Sequence, residues 1–147
     1  MSTPYSFYQA LDANKQEIRL LEIISPSSPA SSPIVPLESV QCRLHTVSLL
    51  HKPTFTALSY VWGDATERED ITVNGVAFPA TLNLASALKY VRAHWQNQFP
   101  GRDVSTFRIW ADAVCINQTD LDERSQQVQL MGQIYSEAEI VFSWLGQ

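Results

Sequence analysis

The chain has 147 residues, is 45% apolar and 17% charged, and carries a formal net charge of −5. These values fit one globular domain and exclude a disordered chain. The acidic balance, with Lys and Arg scattered, leaves no electrostatic footprint for nucleic acid or an anionic membrane.

The two cysteines, Cys42 and Cys115, stand far apart and outside any CxxC pair, so neither structural zinc nor a disulfide framework is expected. Met1 to Gln16 has neither the basic nor the apolar region of a signal peptide, and no apolar run approaches the roughly 18 residues of a membrane span. Asn117-Gln118-Thr119 matches a glycosylation sequon, read as accidental without a secretory signal. The chain is therefore expected in a reducing compartment, as a tail over residues 1–17 followed by a domain over 18–147.

In chain order, Ile18 to Ile24 (IRLLEII) is an apolar-rich run read as a strand. Ser25 to Pro36, rich in Ser, Pro and Ala, reads as a surface loop. Val40 to Val47 alternates partly and suits a half-buried strand. Phe55 to Tyr60 is the next strand, entering a turn at Val61-Trp62-Gly63-Asp64. Asp70 to Phe78 signals a hairpin, because Asn74-Gly75 supplies the positive φ angles of a type I′ turn. Asn83 is the expected N-cap of a helix whose apolar face is Leu84, Leu88, Val91 and Trp95, ending before Pro100-Gly101.

Phe107 to Ala111 is a short buried strand, and Asp112 to Asp120 a polar elbow. A capping box of Asp120 and Glu123 opens the second helix. Its expected apolar stripe is Leu121, Val128, Met131, Tyr135 and Ala138. Gly132 inside it costs roughly 1 kcal/mol against Ala, which a close helix–sheet approach would explain. Glu139 to Leu145 is a buried strand. Alternating strands and helices predict an α/β fold: a mainly parallel sheet flanked by helices, with an antiparallel addition from the early strands and a β-hairpin.

In such sheets ligands collect beyond the carboxyl ends of parallel strands. Two ends are expected on one edge, Tyr60 to Asp64 and Asp112 to Gln118. The edge would carry Asp64, Asp112, Asn117, Gln118, Glu123 and the Trp62 indole, groups that suit a ribose or a base. Each has a structural alternative. Asp64 follows Gly63 in a turn, Asp112 can tie the elbow, Glu123 can close the capping box, and Trp62 and Trp110 can be packing residues. Cys115 has no His beside it and reads as a small buried hydrophobe. His45, His51 and His94 fall in three separate elements. P-loop, GxGxxG, HExxH and GxSxG motifs are missing, and no metal site is expected.

Phe55 to Asp64 (FTALSYVWGD) resembles the first block of the fungal heterokaryon-incompatibility (HET) domain. Thr81 to Leu88 is similar to its following helix. Trp110 to Gln118 (WADAVCINQ), with Glu123-Arg124, Gln127-Val128, Met131 and Ile134-Tyr135, resembles the second block, and Ala138 to Gly146 the strand that closes it. Ala111 departs from the larger aliphatic usual at that place. The family's third block, with an Arg, a Trp and an acidic residue, would follow Gln147, so the chain reads as C-terminally truncated.

The resemblance implies a cytoplasmic death effector in fungal nonself recognition, working by self-association or through protein partners. It marks Tyr60, Trp62, Gly63, Asp64, Asp112, Asn117, Gln118, Glu123 and Arg124 as candidate functional residues. The HET family is distantly similar to Toll/interleukin-receptor (TIR) domains, some of which cleave NAD; NAD or nucleotide hydrolysis is thus the alternative activity, with NAD as substrate. The catalytic acid of those enzymes follows their fourth strand. Here that place falls after Leu145, so this chain is expected to lack NAD-cleaving activity, with Glu123 the nearest substitute.

Overall fold

The computed structural model describes residues 7–24, 40–60 and 66–144. The Ser/Pro segment at 25–36 and the Trp62-Gly63-Asp64 turn lie outside the described residues, as do positions 145–147.

Among the described residues seven strands form one sheet: β1 (Glu17–Ile23), β2 (Gln41–Ser48), β3 (Thr56–Tyr60), β4 (Arg68–Val73), β5 (Val76–Thr81), β6 (Ile109–Trp110) and β7 (Ile140–Trp144). Their order is β5-β4-β2-β1-β6-β3-β7. Between them run α1 (Leu82–Gln98), the single turn α2 (Asp112–Cys115) and α3 (Leu121–Glu137). The expected neighbours 55–60, 107–111 and 139–145 do lie together and parallel, as β6-β3-β7. The sheet as a whole is mixed rather than mainly parallel. β1 pairs antiparallel with both β2 and β6, β4 with β5, and the hairpin joins the far side through a parallel β2–β4 contact. The reason is β1. It runs against the parallel trio and so turns the order of the sheet at its centre.

The hairpin forms as expected, with Asn74 and Gly75 at φ 50° and 80°. The strand reading continues to Thr81, and this moves the helix start. Thr81 is still extended, and its hydroxyl accepts the Leu84 N–H at 3.2 Å. Thr81, not Asn83, is therefore the N-cap; strand passes into helix without a loop, leaving Asn83 inside the first turn. The apolar face of α1 (Leu84, Leu88, Val91, Trp95) is buried as its spacing predicts.

The two long helices cover opposite faces. α1 lines a cavity with Leu58 and Phe142, whereas Tyr135 of α3 meets Trp110 edge-on at 5.6 Å. Trp110 lies level with Ala57, and successive residues of a strand point to opposite faces, so Ala57 and Leu58 separate the two sides.

The docking of α3 corrects its expected apolar stripe. Leu121 and Val128 are 71% and 53% exposed. The buried face is Glu123, Gln127 and Ile134, supported by Leu130 and by the expected Met131, Tyr135 and Ala138. Polar groups on β1 set this rotation. Arg19 requires an acid, and the Glu17 carbonyl takes the Gln127 amide at 2.9 Å; left unpaired inside, both would cost several kcal/mol. Gly132 is exposed, and a Cβ there would meet nothing within 4 Å, so no close approach explains it.

Candidate functional site

Two clusters flank the segment 111–118. The first lies at the carboxyl edge of the parallel trio. Because Ala57 is level with Trp110 and Tyr60 with Trp144, the ends of β3, β6 and β7 bring Tyr60, Asp112 and Trp144 to one edge. Burial pushes the Asp112 carboxyl above the usual carboxylate range, only partly offset by the Ala113 N–H and the Tyr60 hydroxyl. Burial, and then the Asp112 charge, raises the Tyr60 phenol. The phenol feels Asp112, yet its contact falls short of a well-formed hydrogen bond, and the hydroxyl is buried without a partner of normal geometry. The Trp144 indole N–H is buried and unpartnered too, while its ring stacks on Tyr90 at 5.5 Å. Tyr135, whose hydroxyl donates to the Leu58 carbonyl at 3.2 Å, is also raised by burial and by Asp112.

The second cluster surrounds Arg19, which is 2% exposed. Its guanidinium grips both Glu123 oxygens at 2.7 Å and donates to the Cys115 and Gln9 carbonyls at 3.1 and 2.6 Å. The Tyr8 ring lies 4.8 Å from it, and the Tyr8 hydroxyl donates to the Val114 carbonyl at 2.6 Å. Glu123 also accepts the Asn117 N–H at 2.6 Å. These groups floor an open cavity of about 630 Å³ rimmed by Thr119, Asp120 and Asp122.

Residues 55–147 match the family described as heterokaryon incompatibility protein (HET). The chain belongs to the HET family. It is 37% identical over 142 residues to heterokaryon incompatibility protein 6, OR allele, of Neurospora crassa, a match that covers 93% of this chain and 20% of that protein. The chain thus spans about a fifth of the length of the curated relative it matches. No solved structure matches it.

The residues expected to share one cleft in this HET chain divide between the clusters. Tyr60 and Asp112 meet at the strand ends, while Trp62, Gly63 and Asp64 lie outside the described residues. Asn117 spends its side-chain oxygen on the Thr119 N–H and hydroxyl, at 3.3 and 2.9 Å. The Gln118 amide donates to the Asp112 carbonyl at 2.9 Å and ties the elbow from within. Arg124 is exposed, and no described residue pairs with its guanidinium.

Glu123 departs most from expectation. Asp120 caps α3 by accepting the Glu123 N–H at 3.1 Å, but the reciprocal half of the capping box is absent. The Asp120 N–H already donates to the Asn117 carbonyl at 3.2 Å, which frees the Glu123 carboxylate to pair with Arg19. Cys115 is wholly buried and its thiol is pushed up to about 12 by desolvation, the inert small hydrophobe expected. His45 pairs with Glu22 at 2.8 Å, holding that carboxyl below its ordinary range.

Sequence reasoning missed Tyr8, Arg19 and Trp144. A signal existed for Arg19. A charge between Ile18 and Leu20, in a strand that otherwise reads as buried, demands a buried acid elsewhere. Among the described residues, no three His, Cys, Asp or Glu side chains gather as a metal site requires, and no helix is long and apolar enough to cross a membrane.

Chemically the clusters differ. In the Arg19 cluster both carboxylate oxygens of Glu123 are engaged, while Arg19 Nε and the Gln127 side-chain oxygen are buried without a partner. The edge cluster combines a half-buried acid with two donors that lack partners. Native proteins rarely leave such groups unfilled without a use for them.

Proposed function

We propose that this chain is a signalling module of fungal nonself recognition that leads to growth arrest or cell death. It acts in the cytoplasm by self-association or by binding a partner protein, and the edge formed by Tyr60 to Asp64 and Asp112 to Gln118 is its working surface. The observation that carries this reading is the HET family match over residues 55–147, supported by the likeness to a Neurospora protein named for heterokaryon incompatibility. The edge is preferred to the Arg19 cluster because its Asp112 carboxyl is raised by burial, whereas Arg19 engages both oxygens of Glu123.

A second reading, hydrolysis of NAD or a related nucleotide, draws on the same groups, since a carboxyl and a phenol at one edge can hold ribose hydroxyls. Asp112 would bind in that case. Glu123 is a poor catalytic acid because Arg19 occupies both of its oxygens.

The test is overexpression of the protein in a filamentous fungus. Growth should stop, and Trp62→Ala, Gly63→Ala or Asp112→Asn should each relieve the arrest at unchanged protein level. Arrest that persists in all three variants rules out this edge. Nicotinamide release from NAD by the purified protein, lost with Asp112→Asn, would favour the enzymatic reading.

A further inference from the structure

The sheet has two outer strands among the described residues, β5 and β7, and they are treated differently. Pairs alternate away from the two-residue turn, starting at Val73–Val76. Pro79, opposite Asp70, therefore falls at a non-hydrogen-bonded place, and the N–H it lacks is one that would face outward. The β5 edge is thus blunted. β7 has no such guard. Its sequence, Ile140-Val141-Phe142-Ser143-Trp144, contains no charge and no proline.

The Glu139 N–H donates inward to the Phe55 carbonyl. Thr56 of β3 gives its N–H to the Arg108 carbonyl just before β6, so Ala57 and Ser59 face β7 and bond to Ile140, Phe142 and Trp144, which leaves the N–H groups of Val141 and Ser143 on the open side. Val141 is 41% exposed on one face. On the other, Phe142 and Trp144 line an apolar cavity of about 250 Å³ with Leu58, Ala87, Val91 and His94. An unguarded neutral edge beside an apolar groove is a template for one more strand.

We infer that the β7 edge is a self-association surface on which β7 of a second copy of this chain pairs antiparallel about a two-fold axis at Phe142. The strand suits its own reversal. Ile140 falls opposite Trp144 and Phe142 opposite Phe142, all on the groove face, while Val141 falls opposite Ser143 on the other. No like charges meet. The outward N–H and C=O groups of Val141 and Ser143 coincide as two hydrogen-bonded pairs across the axis, and the interface is isologous, as a closed dimer requires. This deepens the self-association reading above and rests on it.

The test is sedimentation of the purified 147-residue chain over a concentration series. A reversible dimer is expected. Val141→Lys with Ser143→Lys sets Lys against Lys twice across the axis and should raise the dissociation constant about tenfold or more. Val141→Lys with Ser143→Glu sets Lys against Glu twice and should return it close to the parent value. Both sites are exposed, so an unchanged circular dichroism spectrum and urea midpoint establish that each variant folds.

As a check of register, Val141→Cys mixed with Ser143→Cys should form an interchain disulfide on oxidation, whereas Val141→Cys alone should not. Cys42 and Cys115 are buried and stay out of this reaction. A chain that is monomeric at every concentration, a dimer indifferent to the lysines, or crosslinking by Val141→Cys alone would overturn the proposal. The growth assay is a separate readout: a lysine variant that no longer dimerises but still arrests growth removes self-association from the function and leaves the interface standing.

Discussion

Replacing Glu123 by Gln probes the interaction that fixes α3 on the sheet. Arg19 and Glu123 are 2% and 7% exposed and meet through two contacts of 2.7 Å. Solvent therefore screens the pair little, and the discount due to exposed ion pairs does not apply. The substitution leaves a buried guanidinium with only the neutral carbonyls of Cys115 and Gln9. Breaking a buried pair on one side costs about 3–5 kcal/mol. The Gln oxygen can still accept one bond, which places the expected loss near the lower end, about 3 kcal/mol. This is a large part of the roughly 5–15 kcal/mol that stabilises a domain.

Urea unfolding followed by far-ultraviolet circular dichroism measures the loss as a fall in midpoint at constant slope. The double variant Arg19→Met with Glu123→Leu removes both charges and should be less destabilised than Glu123→Gln alone. A Glu123→Gln loss under about 1 kcal/mol, or a double variant at the sum of the two single losses, would refute the assignment of Glu123 as a structural partner.

Three further outcomes follow from the fold and the edge. Gly132→Ala should stabilise the domain by about 1 kcal/mol, read as a higher melting temperature, because the added methyl enters open space in the middle of a helix. Thr81→Ala should cost about 1 kcal/mol in urea, since Thr81 caps α1. Asp112→Asn should raise the urea midpoint at pH 7. Burial raises the folded carboxyl above its unfolded value, so the wild-type penalty is absent below the unfolded value of about 3.9 and complete above the folded one. The gain should accordingly vanish as the pH is lowered through the ordinary carboxylate range.

Local signals carried much of the architecture. Asn74-Gly75 located the hairpin, the spacing of Leu84, Leu88, Val91 and Trp95 gave the buried face of α1, and the strand–helix alternation gave the parallel trio. What escaped was non-local. β1 lies between β2 and β6 in antiparallel pairings, and no periodicity within seven residues announces a neighbour 88 positions away, as Ile109 is from Leu21. The first half of the α3 stripe was misjudged for the same reason, whereas Met131, Tyr135 and Ala138 do pack against the core. Arg19, far upstream, draws Glu123 and Gln127 inward and leaves Leu121 and Val128 outside. At the site, Tyr60 and Asp112 come together at the ends of β3 and β6, while Trp62, Gly63 and Asp64 lie outside the described residues. Trp144 was passed over because its unpaired indole becomes visible only when β7 lies beside β3.

The central claim is that the edge joining the two sequence blocks acts in signalling and does not serve the fold. Asp112→Asn tests it most directly when stability and growth are measured on the same protein. The account predicts a variant more stable than wild type at neutral pH that accumulates normally in a filamentous fungus and yet no longer arrests its growth, the trade-off expected of a strained functional group. Full growth arrest by the stabilised variant, or an arrest lost only in step with falling stability, would contradict it.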